Sequence, residues 1–115
     1  MYSSIVSDHF HSQRRVGPLE QFTHCGTAGV PGEGPYVVLW CNVSVDRIEA
    51  CAYQTFGCPA AIASASMVAE LVEGRSIQAA LTLTEFELTA ALGGLPEGKD
   101  HCPRLAIAAL SKAFV

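Results

Sequence analysis

Apolar residues recur at helical spacing at the start of the chain, at Tyr2, Ile5, Val6 and Phe10, with Ser3 or Ser4 available as a cap. The pattern predicts a short amphipathic helix, closed by Gly17-Pro18. Phe22 to Gly29 fits a strand, and Val30-Pro31-Gly32-Glu33-Gly34-Pro35 is dense in turn residues and predicts a loop. Tyr36 to Val45 alternates, with Val37, Leu39, Cys41, Val43 and Val45 on one face and Tyr36, Val38, Trp40, Asn42 and Ser44 on the other. Asp46-Arg47 turns into a third strand in which Ile48, Ala50, Ala52 and Phe56 share a face, completing an antiparallel meander.

From Pro59 the pattern is helical through Ile62, Met67, Val68, Leu71 and Val72, and Gly74 stops it. Ser76 caps a short turn. Thr84-Glu85-Phe86-Glu87 has capping-box form before a helix that Gly93-Gly94 closes, and Leu95 to Lys99 is a loop. The last segment sets Arg104, Ala108, Ser111 and Lys112 against Leu105, Ala106, Ala109, Leu110 and Ala113, an amphipathic helix. Strands first and helices afterwards predict an α+β fold, a three-stranded antiparallel sheet with helices packed on one face, as a single domain over residues 1–115.

Composition narrows the function classes. Seven basic against eleven acidic residues give a net charge of -4 without a basic cluster, which argues against nucleic acid and membrane surfaces as partners. Ala50 to Ala69 carries no charge but is too mixed to span a bilayer, and no export signal is visible at the N-terminus. Five cysteines in such a chain favour structural thiols plus a metal or redox site over a disulfide framework, in the cytoplasm.

Two cysteines share a context: Gly57-Cys58-Pro59 and His101-Cys102-Pro103 each open a helix, with proline at the first helical position. Each cysteine is therefore a candidate N-cap, where unpaired amides and the helix dipole favour thiolate, the metal-binding form. His101 adds a nitrogen donor. On pattern alone, two buried core cysteines are an equally good reading. Cys41 is assigned to the core, Cys51 to the alternate and more exposed face of its strand, and His9 and His11 to the surface. Cys25 lies eight positions before Glu33, roughly 26 Å of extended strand, and is placed outside the site.

Three segments taken in order resemble one family. YSSIVSDHFHSQRRVG (residues 2–17), QTFGCPAAIASASMVAELVEG (54–74) and GLPEGKDHCPRLAIAAL (94–110) are similar to the U-type iron-sulfur cluster scaffolds, of the IscU and NifU N-terminal type. The resemblance implies an α+β scaffold or carrier, rather than a turnover enzyme, that assembles a transient 2Fe-2S cluster. Sulfur would come from a cysteine desulfurase, and the cluster would pass to recipient iron-sulfur proteins. It also implies that Cys58 and Cys102 are ligands, with His101 beside the site and Lys99 shortly before His101. In the first loop Glu33 stands where the family has its first ligand cysteine, and Pro35 where it has an aspartate. Glu33 is then either an oxygen ligand or a solvated loop residue. Leu95-Pro96-Glu97-Gly98-Lys99 replaces the Leu-Pro-Pro-Val-Lys that the family presents to a chaperone, which weakens the expectation of a chaperone partner.

Three readings follow. The first is a cluster scaffold using Cys58, Cys102 and non-thiolate ligands. The second is a zinc-binding homologue in which Cys58, Cys102, His101 and Glu33 close a structural tetrahedron. The third is a metal-free adaptor docking on a desulfurase, which exposed Tyr36, Val38 and Trp40 would support. No acid–base pair or phosphate loop argues for enzymatic turnover.

Overall fold

Alternating residues build a three-stranded antiparallel sheet in the order β1 (His24–Gly29), β2 (Tyr36–Ser44), β3 (Arg47–Phe56), in a computed structural model that describes residues 1–115. Helix α1 (Ser4–His11) precedes the sheet, and α2 (Pro59–Val72), α3 (Ile77–Ala80), α4 (Glu85–Ala91) and α5 (His101–Ala113) follow it. Helix α2 packs on β3 and α5 on β1 and β2, so the helices cover one face, as the order of elements predicts. No helix is long and apolar enough to cross a membrane.

The caps read from the sequence form. Ser3 accepts from the Val6 amide and Ser76 from the Ala79 amide, while Thr84 and Glu87 complete a reciprocal capping box. Pro59 opens α2 with Cys58 at its N-cap.

The third strand departs from its expected face. A bulge at Asn42/Val43 shifts the register, so that Val43 opposes Ile48 while Cys41 opposes Cys51. The extra residue, Glu49, inverts the alternation beyond Ile48, because side chains on a strand repeat every two residues. Cys51 and Tyr53 therefore turn to the core and Phe56 is exposed, whereas plain alternation placed Cys51 on the more exposed face. Cys51 Sγ lies 3.4 Å from Cys41 Sγ, both buried. Hydrogen bonding to Cys41 and burial push the Cys51 thiol up. Val45, assigned to the apolar face of β2, instead occupies the turn at φ 61° and is fully exposed.

The outer face is not a free apolar surface. The segment Arg15–Gly17 runs beside β3, with the Gly17 amide donating to Tyr53 O (2.7 Å) and the Tyr53 amide to Arg15 O (2.9 Å). Gly17 lies against Trp40 and Ala52. Tyr36, Val38 and Trp40 are half-buried rather than exposed. Arg15 is tied to Glu73 at 3.2 Å, and Glu73 also accepts from the Cys51 amide at 3.1 Å.

Helix α1 turns Val6 and His9 inward, while Ile5 stays exposed and Tyr2 lies before the helix. His9 is 3% exposed, contrary to its surface assignment, because Ser66 satisfies Nδ1 at 2.7 Å across the α1–α2 contact; His11 is exposed as expected. Burial holds the His9 imidazole below its ordinary value of 6.5, helped by Arg14, against the opposing pull of Glu70 and Asp8. The unfolded chain then takes up the proton first as the pH falls. The contribution of neutral His9 is complete above about pH 6.5 and is lost below it, toward the depressed folded value. Thermal melts at pH 7.5 and 5.5 are expected to show a larger acid loss for the parent than for His9→Asn, which keeps a hydrogen-bonding group near Ser66 but does not titrate. Equal losses would exclude His9 as the cause.

Candidate functional site

Two helix starts meet beside the N-terminus. Cys58, the N-cap of α2, is half-buried; Cys102 sits in the first turn of α5 and is 1% exposed. Their sulfurs are 4.0 Å apart. The expectation that Cys102 is also an N-cap is corrected, since α5 begins at His101 with Asp100 as its cap residue. The Cys102 amide already donates to Lys99 O at 3.1 Å, winding the chain one step before the His-Cys-Pro run suggests. Cys102 is thereby carried inside the turn and packs with Ala60 and Ala61, against which Tyr2, Cys58 and Leu95 also lie.

The two thiols differ electrostatically. Burial alone would raise Cys58, but the nearby amides of Ala61 and Ala60, the Cys102 thiol and the Lys99 charge together bring it below its ordinary value. Burial and the neighbouring Cys58 push Cys102 up to about 12. Lys99 Nζ lies 3.6 Å from Cys58 Sγ and its own pKa is raised, chiefly by Cys58. His101, exposed, sets Nε2 3.5 Å from Cys102 Sγ. Replacing Lys99 with glutamine is expected to slow alkylation of Cys58 at neutral pH, with the rate recovering in alkaline buffer; an unchanged pH profile would show that Lys99 does not act on the thiol.

Tyr2 belongs to this site and the sequence reading used it only as a helix-face residue. Burial raises its phenol and the Cys58 charge raises it further, while Lys99 opposes both. Its position before α1, rather than on it, was the missing signal.

Two thiolates bound to one tetrahedral ion at about 2.3 Å lie about 3.8 Å apart. The Cys58–Cys102 separation fits that spacing closely, and the His101 ring lies beside Cys102. Glu33 is not brought to the pair: it is exposed in the β1–β2 loop, and no three His, Cys, Asp or Glu side chains converge on one ion position. The geometry is an open half-site, two soft donors with a cation beside one of them.

The family model described as the NifU-like N terminal domain matches residues 1–115. The chain is 45% identical to the iron-sulfur cluster assembly scaffold protein IscU 1 of Archaeoglobus fulgidus, over 100% of this chain and 75% of the relative. It is 41% identical to the iron-sulfur cluster assembly scaffold protein IscU of Aquifex aeolicus, over 98% of this chain and 73% of that one. Its fold is similar to a crystal structure described as a SUF-system iron-sulfur cluster assembly scaffold from Fervidobacterium islandicum AW-1, with TM-score 0.75, 20% identity and coverage of 97% and 95% of the two chains.

Proposed function

Because the chain belongs to the U-type iron-sulfur scaffold family, that of the NifU-like N-terminal domain, we propose that it is an iron-sulfur cluster assembly scaffold. It holds a cluster transiently and hands it on. The observation that carries this reading is the Cys58–Cys102 pair, 4.0 Å apart, with Lys99 at 3.6 Å from Cys58 and His101 at 3.5 Å from Cys102. The cluster is cargo and of the 2Fe-2S type. Cys58 and Cys102 supply the thiolates, Lys99 offsets the negative charge that thiolates and sulfide bring, and His101 stands as a further donor. With Glu33 in place of a cysteine, the remaining positions are open to sulfide or to a donor on the partner. An open half-site suits loading and release better than storage, since a closed four-ligand site holds its metal firmly. The partners are a cysteine desulfurase as sulfur source and recipient iron-sulfur proteins, in the cytoplasm, and the chain works by holding and transfer rather than by turnover.

A second reading rests on the same separation. A 4.0 Å thiol pair equally suits zinc, which would occupy the half-site as a tetrahedral ion. The deciding experiment is iron, zinc and acid-labile sulfide content, with a visible spectrum, on protein purified without oxygen, beside a Cys58→Ala, Cys102→Ala double variant. Iron with sulfide in the parent and neither in the double variant is the expected result. Zinc without sulfide would transfer the conclusion to the second reading, and no metal in either protein would overturn both.

A further inference from the structure

We propose that Cys58 and Cys102 also act as a dithiol that exchanges with an external disulfide of the glutathione class, Cys58 entering first and Cys102 resolving, so that the redox state of the pair gates cargo binding. The placement of the two sulfurs carries this. Thiol–disulfide exchange needs one sulfur an external disulfide can reach and a second within closing distance but shielded, so that it attacks only the mixed intermediate. Cys58 is half-buried at the N-cap of α2, with Lys99 Nζ 3.6 Å from its sulfur; Cys102 is 1% exposed and 4.0 Å away. A disulfide bond of about 2.05 Å needs the two sulfurs to approach by roughly 2 Å, within reach of side-chain rotation.

The other thiols lack this asymmetry. Cys41 and Cys51 are closer, at 3.4 Å, but both are buried, so no external disulfide reaches either. Cys25 is exposed on β1, but the sulfur–sulfur contacts are Cys41–Cys51 and Cys58–Cys102, and the Cys41 near it is buried, so its exchange would end at a mixed disulfide.

The steps balance. The Cys58 thiolate attacks one sulfur of the external disulfide, its S–S bond breaks, and one thiolate leaves. Cys102 then attacks Cys58 Sγ as its proton passes to the second departing thiolate, and the Cys58–Cys102 bond forms. The protein dithiol is oxidised by two electrons and the external disulfide is reduced to two thiols. Excess thiol reverses the sequence. While the bond stands, neither sulfur is a thiolate ligand.

The test uses metal-free protein carrying Cys25→Ser, treated with oxidised glutathione without oxygen and analysed by intact mass and peptide mapping, so it reads the thiols whatever cargo they carry. The expected result is loss of two hydrogens with a mapped link between residues 58 and 102. Cys102→Ser should stop with one glutathionyl group on Cys58, and Cys58→Ser should remain unmodified. A stable mixed disulfide on Cys58 with Cys102 present, a 41–51 link in place of 58–102, or no reaction would overturn the proposal. If Cys102→Ser does not fold, the map of the Cys25→Ser protein decides alone. The linked form should take up cobalt(II) at least tenfold more weakly than the reduced form and recover on adding thiol; equal uptake would overturn the gate.

Discussion

Gly26→Ala is expected to destabilise the protein by at least about 3 kcal/mol, lowering the melting temperature by roughly 10–20 °C or preventing accumulation of folded protein. Gly26 lies in β1 where α5 crosses it, and a Cβ there would overlap the Ala109 carbonyl oxygen and the Ala113 amide nitrogen and come within 2.9 Å of Ala113 Cα. All three are backbone atoms, so no side-chain rotation relieves the overlap and the whole helix must retreat. Total stability of a domain this size is about 5–15 kcal/mol, so the loss is a large fraction of it. Gly32→Ala, in a loop where nothing lies within 4 Å, is the control and costs about 1 kcal/mol through its positive φ alone. Similar melts for the two variants would show that α5 and β1 do not pack this closely. Because α5 carries His101 and Cys102, any Gly26→Ala protein that does fold should also bind metal more weakly, the sulfur pair having been pulled apart.

The second large effect concerns that pair. Cys58→Ala is expected to reduce cobalt(II) affinity by roughly 10²–10³-fold, read from loss of thiolate charge-transfer absorbance. Four-ligand structural zinc sites reach about 10–16 kcal/mol, so each donor contributes roughly 2.5–4 kcal/mol, which corresponds to that range of dissociation constants. Cys58 and Cys102 are the two thiols that meet here, 4.0 Å apart, and removing either leaves a single thiolate. Cys58 is only half-buried, so the substitution should change the melting temperature little and the binding loss can be read without an unfolding correction. Affinity within about threefold of the parent would mean that the pair does not hold the ion.

Local rules made much of the fold legible. The caps at Ser3, Ser76 and Thr84, proline at the start of α2 and the alternation of Val37, Leu39 and Cys41 depend on residues within a few positions of one another, and they form as read. The β3 bulge was not legible, because Glu49 fits plain alternation until β2 sets the register. His9 looked like a surface histidine because its partner, Ser66, lies 57 positions away.

The α+β order, the helix and strand periods, the family and the candidacy of Cys58, Cys102, His101 and Lys99 could all be read along the chain, because motif spacing and capping are short-range properties. It took the folded chain to bring the two sulfurs to 4.0 Å, to leave Cys58 half-buried and Cys102 buried, to set Tyr2 and Lys99 beside Cys58, and to leave Glu33 outside any ligand group. Those facts depend on how α2 and α5 pack against each other and on the sheet, which brings together pairs such as Cys58 with Cys102, 44 positions apart, and Cys58 with Lys99, 41 apart, to which no local pattern is sensitive.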